Sequence, residues 1–162
     1  GVWPRGSYWH LDTRRDELAR IRTPWTSLRV AAEAIDERTR DPRFETLVHG
    51  DPKADNIAWG EDDDACVLYD FQYTGVGLGA RDVAYLICSS ADATSLSGGS
   101  VDRLLDGYFE VLVRAGTGLN GYTRAQFADH FNWCLLDYVR FMAGWGWWGN
   151  HRWAVERTRH LL

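Results

Sequence analysis

The sequence contains no long hydrophobic run. No apolar stretch approaches the roughly 18 residues that a membrane span requires. The N-terminal segment GVWPRGSYWH also lacks the basic region followed by an apolar region that marks a signal peptide. We therefore expect a cytoplasmic protein with no membrane span.

Cysteine is scarce as well. The three cysteines, Cys66, Cys88 and Cys134, are odd in number, widely spaced and set among apolar neighbours. Disulfide frameworks and zinc sites need even numbers of cysteines or closely spaced pairs. The sequence therefore predicts neither, and a reducing compartment is favoured.

Positive charge is in the minority. The chain carries 18 Lys and Arg residues against 23 Asp and Glu residues, which gives a net charge of -5 at pH 7. Lys53 is the only lysine. Affinity for nucleic acid depends on clustered basic side chains that neutralise phosphates. Nucleic acid is therefore not an expected partner.

The remaining composition is that of one folded domain. With 162 residues, of which 45% are hydrophobic and 25% charged, the chain can bury a core of its own. The spacing of apolar residues, caps and breakers places strands in the first half and helices mainly in the second, which predicts an α+β fold. Strands are predicted at 44–48, 56–59 and 65–69. Helices are predicted at 12–22, 25–40, 80–90, 101–114, 123–148 and 151–162.

An acidic run at 61–64 separates the second and third predicted strands. Charged residues between two strands are typical of a solvated hairpin turn. A calcium loop is excluded, because it needs alternating ligands, a glycine and a distant glutamate that are absent here.

Three polar residues lie at the ends of the predicted strands. Asp51 follows the first strand, Asn56 begins the second and Asp70 follows the third. If these side chains converge, the two carboxylates raise each other's pKa unless a cation neutralises them. Oxygen ligands of this kind suit Mg²⁺. The alternative is that Asp51 and Asp70 are ordinary turn or cap residues.

The spacing of these residues matches the catalytic and metal loops that kinases use for phosphoryl transfer. The segments LVHGDPKADNIAW and VLYDFQYTGVGLGARDVAYL closely resemble the aminoglycoside phosphotransferase, choline kinase and ecdysteroid-kinase-like group of small-molecule kinases. The resemblance is strongest over residues 45–90. It implies the C-terminal lobe of a protein-kinase-like fold, with ATP and Mg²⁺ as cofactors and a small molecule with a hydroxyl group as acceptor.

The resemblance also implies a role for each matching residue. Asp51 is expected to be the catalytic base, which accepts or orients the proton of the acceptor hydroxyl. Asn56 and Asp70 are expected to hold Mg²⁺ on the nucleotide phosphates. Lys53 stands where many kinases place a lysine near the transferred phosphoryl group, although it could also be an ordinary solvated lysine.

Four further residues extend the comparison. His49 is expected to pack under the metal loop, and Asp82 to brace the catalytic loop through backbone N–H groups, as a plain helix cap would also do. Gly50 stands where regulated protein kinases carry an arginine, which favours a small acceptor over a protein. Gln72 replaces a glycine of the protein-kinase metal loop, as in the ecdysteroid-kinase-like sequences.

A complete kinase also needs a glycine-rich phosphate loop and a strand lysine paired with a helical glutamate. Lys53 belongs to the catalytic loop, and the first forty residues are predicted to be helical. We therefore expect a single domain, 1–162, that corresponds to the C-terminal lobe alone, as a fragment or a truncated chain. It comprises a helical lead-in at 1–43, the two loops at 44–82 and a helical acceptor-side subdomain at 83–162.

A dinucleotide-binding loop is a weaker interpretation of the same region. It would use Gly75, Gly77 and Ala80. However, the first glycine lies several residues past the strand, and no second βαβ unit follows.

The acceptor site is predicted from aromatic residues near the C-terminus. Trp145, Trp147 and Trp148 lie where choline kinases and their relatives build the acceptor pocket, and Asp137 or Asp129 could add a charge partner. Aromatic faces attract quaternary ammonium groups. Packing of these rings in the core is the alternative.

Two functions remain open at this point. The first is an ATP- and Mg²⁺-dependent phosphotransferase. The alternative is a non-catalytic binding or assembly module that has lost its nucleotide lobe. In either case an exposed apolar face is expected, covered by the missing lobe or by a partner.

Overall fold

The computed structural model describes residues 1–60, 65–116 and 121–162. The hairpin turn predicted at 61–64 lies outside the described residues. Within them, the chain forms a mainly helical α+β fold with two small antiparallel sheets. The helices are α1 (Arg15–Arg20), α2 (Thr26–Val30), α3 (Ala32–Arg38), α4 (Gly79–Ser90), α5 (Ser100–Ala115), α6 (Arg124–Trp145) and α7 (His151–Thr158).

Four predicted helices differ from those observed. The helix predicted at 12–22 is limited to α1, and the helix predicted at 151–162 ends at Thr158. The helix predicted at 25–40 is divided into α2 and α3 at Ala31, whose ψ of 1° is far from the helical value. The helix predicted at 123–148 begins with a capping box between Thr123 and Gln126 but ends at Trp145. It ends there because Gly146 adopts a φ of 147°, which only glycine reaches readily.

The strands form two separate antiparallel pairs. They are β1 (Glu45–Val48), β2 (Ile57–Trp59), β3 (Cys66–Leu68) and β4 (Gly75–Leu78). β2 pairs with β3, as the sequence predicts, with Ile57 opposite Leu68. β4 is a strand that the sequence does not predict, and it pairs antiparallel with β1. Gly75 and Gly77, the two glycines of the dinucleotide-loop interpretation, therefore lie in a sheet.

The core lies around α6. This helix packs mainly against α4, and it also contacts α1, α3 and α7. Its buried side chains include Phe131, Leu135, Tyr138 and Met142. Burial of a face this apolar is the main force that holds helices of this length in place. The same packing fixes α4, which carries two residues of the candidate site.

Among the described residues, no helix is both long enough and apolar enough to cross a membrane.

Candidate active site

The site begins at the end of β1. After Val48 the chain turns at Gly50, which adopts a φ of 88°, and then presents Asp51. A Cβ at Gly50 would overlap the carbonyl oxygen of Tyr73 and lie 2.7 Å from the backbone nitrogen of Ser7. Glycine is therefore required here both by the backbone conformation and by the close approach of two neighbouring segments.

Asp82 holds this turn from α4. Its carboxylate accepts hydrogen bonds from the backbone N–H groups of His49, at 2.6 Å, and Gly50, at 3.0 Å. Burial raises the pKa of Asp82, and the two N–H donors oppose that rise by favouring the charged form. Asp82 therefore fixes the backbone of the turn that precedes Asp51.

His49 connects the two loops. Its Nδ1 accepts a hydrogen bond from the backbone N–H of Asp51 at 3.2 Å, and its Nε2 lies 2.9 Å from the carbonyl oxygen of Tyr69. Because a carbonyl can only accept, Nε2 carries the proton. The imidazole also packs against Phe71, with ring centroids 4.8 Å apart. His49 thus contacts the segment that carries Asp70, and both of its ring nitrogens are engaged.

The carboxylate of Asp51 is buried and receives several donors. Tyr85 donates a hydrogen bond to Oδ1 at 2.8 Å. Asn56 donates from Nδ2 to Oδ2 at 3.1 Å, and Lys53 places its Nζ 3.4 Å from the same oxygen. Asp51 is only 3% exposed, so these contacts replace water around the charge. Lys53 is therefore ion-paired with Asp51 in this structure.

Asn56 and Asp70 lie at the same end of the β2–β3 hairpin. Asn56 directly precedes β2, and its carbonyl accepts a hydrogen bond from the backbone N–H of Tyr69 at 3.1 Å. Asp70 is the next residue along the chain. It adopts a left-handed conformation, with φ at 64° and ψ at 60°, and its side chain is exposed. Such a conformation is uncommon outside glycine and is concentrated at functional sites.

The donor atoms present at this end of the hairpin suit Mg²⁺. Both hydrogens of the Asn56 amide are used on the carbonyl and carboxylate of Asp51, so Oδ1 of Asn56 remains to bind a cation. Asp70 adds an exposed carboxylate. In the described part of the chain, no cluster of three or more His, Cys, Asp or Glu side chains could hold a metal by itself. Two oxygen ligands fit an ion that phosphates and water complete.

The aromatic residues predicted for the acceptor site are separated. The ring centroid of Trp148 lies 6.0 Å from that of Tyr85 on α4. Trp147 packs instead against Trp25, at 4.9 Å. Trp145 is half exposed, and the guanidinium of Arg14 lies 5.1 Å from its ring centroid. The cation on this ring is therefore supplied by the protein itself.

Asp137 lies in the core. It is fully buried, and its two carboxylate oxygens contact Arg81 at 3.1 Å and Arg140 at 2.7 Å. A carboxylate with both oxygens paired and no exposure has no contact to offer an acceptor. Asp129, the other charge partner considered, is exposed on α6.

The chain also resembles a known protein family in sequence. The sequence model of the phosphotransferase enzyme family APH matches residues 4–127, well over half of the chain. The chain belongs to this family. The match includes β1, the β2–β3 hairpin, α4 and the loops that carry Asp51 and Asp70. No curated protein and no solved structure matches the chain. The resemblance of the segments around Asp51, Asn56 and Asp70 to the aminoglycoside phosphotransferase-like family is thus confirmed, and the chain is a phosphotransferase by family.

Proposed function

We propose that this phosphotransferase moves the terminal phosphoryl group of ATP, in the presence of Mg²⁺, to a hydroxyl group of a small molecule. The observation that carries the proposal is the contact of Asn56 and Lys53 with the Asp51 carboxylate, next to the hairpin end that presents Asp70. A base, a cation beside it and two oxygen ligands are the parts that phosphoryl transfer needs.

Each residue then has a defined task. Asp51 accepts or orients the proton of the acceptor hydroxyl, because its carboxylate is fixed by several donors. Lys53 offsets negative charge near the transferred group. Asn56 and Asp70 would hold Mg²⁺, and a bound magnesium ion would neutralise phosphate charge there.

For the acceptor, the position of Arg14 is informative. Its guanidinium covers the exposed ring of Trp145, where a quaternary ammonium group would otherwise bind. A second cation at that ring would be repelled by the first. We therefore favour a neutral or anionic hydroxyl compound over a choline-like one at this surface.

We also infer that residues 1–162 act as the C-terminal lobe of a kinase-like fold and that a further lobe or a partner covers the β2–β3 hairpin. Lys53 is paired with Asp51 and is the only lysine of the sequence, so no second lysine is present to anchor the nucleotide. The hairpin exposes Trp59, Val67 and Leu68. Trp59 and Leu68 border an apolar cavity of about 550 Å³. The same face is the observation that favours the second candidate function, a non-catalytic assembly module.

The first test is calorimetric titration of the chain with Mg²⁺ and ATP. We expect saturable binding that Asp70→Asn abolishes, because this change removes the only negatively charged group of the two proposed ligands. Asp129→Asn is the matched control, since it makes the same charge change at an exposed position on α6. Binding that is equal in all three proteins would contradict the assigned metal ligands.

The second test measures phosphoryl transfer. Radiolabelled ATP, Mg²⁺ and a panel of neutral, anionic and cationic hydroxyl compounds are incubated with the chain, and with Asp51→Asn in parallel. Transfer that needs Asp51 supports the proposal. ATP binding without transfer to any compound, by the chain or by the chain with its natural partner, favours the assembly module.

A further inference from the structure

A buried tyrosine to which the resemblance assigns no role contacts the proposed catalytic base. Tyr85 lies on α4, is 1% exposed and places its hydroxyl 2.8 Å from Oδ1 of Asp51. A second tyrosine hydroxyl, that of Tyr8, lies 3.2 Å from the hydroxyl of Tyr85. The three groups form a continuous chain from a half-buried tyrosine to the carboxylate.

The direction of each hydrogen bond in this chain follows from chemistry. An ionised carboxylate has no hydrogen to donate, so the hydroxyl of Tyr85 must donate to Asp51. A phenol has one hydrogen, so the oxygen of Tyr85 can only accept from Tyr8. Burial raises the pKa of both Tyr85 and Tyr8, which keeps both hydroxyls protonated. Hydrogen bonds that point in one direction strengthen one another.

The two carboxylate oxygens of Asp51 are thereby held by two different segments, the loop that carries Asp51 itself and helix α4. Oδ2 faces Asn56 and Lys53 of the catalytic loop, whereas Oδ1 is held only by Tyr85 among the described residues. Without Tyr85, the contacts on Oδ2 alone would resist rotation of the carboxylate about its Cβ–Cγ bond. The carboxylate plane decides which lone pair meets an acceptor hydroxyl, and small misplacements of reacting groups are costly.

We propose that Tyr85 is a positioning residue that sets the orientation of the Asp51 carboxylate for phosphoryl transfer, with Tyr8 orienting the hydroxyl of Tyr85. This inference rests on the proposed function for its effect on catalysis. The positioning itself can be measured without activity.

A neighbouring tyrosine provides a matched control. Tyr138 on α6 is fully buried, and its ring lies 5.1 Å from the ring of Tyr85. Its hydroxyl has no hydrogen-bond partner among the described residues. Tyr85→Phe and Tyr138→Phe therefore remove the same atom from adjacent positions of the core, and only the first removes a donor to Asp51.

The first experiment is carbon-13 NMR of aspartate carboxyl groups in the whole chain at one fixed pH, without nucleotide or metal. Asp51→Asn identifies the Asp51 resonance. We expect Tyr85→Phe to shift this resonance and Tyr138→Phe to leave it unchanged. No shift in Tyr85→Phe, or an equal shift in both variants, would overturn the proposal. Circular dichroism verifies that both variants are folded.

The second experiment separates orientation from binding once an acceptor has been found. Tyr85→Phe is expected to lower kcat about ten- to hundredfold while the KM for MgATP stays within about twofold, since Asn56 and Asp70 are untouched. Tyr138→Phe should retain the parent kcat. A raised KM with unchanged kcat would contradict positioning.

The two levels can fail independently. An NMR shift in a chain that transfers no phosphoryl group, alone or with its natural partner, would refute the proposed function and leave the positioning of Asp51 intact. Phosphoryl transfer that is unaffected by Tyr85→Phe would refute the role of Tyr85 in positioning and leave the proposed function intact.

Discussion

Asp82 and Tyr85 lie one helical turn apart on α4 and hold consecutive parts of the same loop. Asp82 accepts hydrogen bonds from the backbone of His49 and Gly50, and Tyr85 donates one to the side chain of Asp51. Residues three apart on a helix face the same side. One face of a buried helix therefore fixes both the path of the catalytic loop and the position of its carboxylate.

The first prediction concerns Asp82. Asp82→Asn keeps the size of the side chain but places an NH₂ group where one oxygen accepts a backbone N–H. A buried donor left without an acceptor costs about 1–3 kcal/mol. We expect the free energy of unfolding, measured in urea by circular dichroism, to fall by that amount. Asp129→Asn, at an exposed position, should leave the urea midpoint unchanged. Equal urea midpoints for the parent chain and both variants would show that the hydrogen bonds of Asp82 do not stabilise the turn.

The second prediction concerns the turn at Gly50. Gly50→Ala introduces a Cβ that overlaps the backbone of Tyr73, in addition to the strain of a φ of 88°. Gly98→Ala is the matched control, because Gly98 has a φ of 61° and a Cβ added there would meet no atom within 4 Å among the described residues. Gly98→Ala therefore measures the cost of the backbone strain alone, which is about 1–2 kcal/mol.

Thermal unfolding should show a clearly larger loss of stability for Gly50→Ala than for Gly98→Ala. MgATP binding should also weaken only in the first variant, since only that turn leads to Asp51. Equal losses in the two variants would mean that the segments around Gly50 move apart at little cost.

The sequence is sufficient to predict the loops because their chemistry is local. Asp51 and Asn56 are five residues apart, and β2 pairs with β3 across a short connection, so spacing alone places Asn56 and Asp70 at one hairpin end. The segments that carry these residues also resemble the family whose sequence model matches the chain. The roles of these residues in catalysis remain predictions.

Contacts between distant segments cannot be predicted in this way. β4 contains two glycines and resembles a loop, yet a Cβ at Gly75 would lie 2.5 Å from the backbone nitrogen of Gly6, so close packing against the N-terminal segment requires glycine there. Tyr85 is 34 residues from Asp51 along the chain. Its position three residues after Asp82 is the one signal that the sequence contains.

The burial of Asp137 is a further example. The sequence suggests it as a charge partner in an acceptor pocket, whereas its side chain lies in the core between two arginines. Arg140 is three residues away on the same helix, but Arg81 is 56 residues away on α4. The spacing of residues within α6 therefore gives no indication of Arg81, which pairs with the second carboxylate oxygen of Asp137.

The third prediction concerns that buried charge cluster. Asp137→Asn leaves Arg81 and Arg140 together in the core without a carboxylate between them. Removing one partner of a buried ion pair is destabilising by about 3–5 kcal/mol. Asp106→Asn is the matched control, since Asp106 pairs with Arg124 at 2.7 Å but is largely exposed. It should change the free energy of unfolding by at most about 1 kcal/mol. Similar urea midpoints for the two variants would contradict the importance of burial.

The last prediction concerns pH and His10. Burial, together with the positive charges of Arg5 and Arg81, lowers the pKa of His10 from its ordinary value near 6.5 to about 4, while Asp12 and Asp36 act weakly in the opposite direction. Between these two pH values the unfolded chain binds a proton at His10 and the folded chain does not. The contribution of His10 to the free energy of unfolding is therefore fully present above pH 6.5. It declines as the pH falls towards 4, by at most about 1.4 kcal/mol per pH unit.

Urea unfolding of the parent chain and of His10→Gln at about pH 7 and about pH 5 tests the assignment, since these values lie above and within the interval over which His10 titrates. We compare the loss of stability between the two conditions, not the absolute stability, because the substitution also changes core packing. His10→Gln should reduce that loss, whereas His160→Gln, at an exposed position near the C-terminus, should not. Burial lowers the pKa of His130 too, so part of the loss should persist in His10→Gln. An undiminished loss would show that His10 is protonated in the folded protein, with its charge accommodated beside Asp12 and Asp36 despite the two arginines.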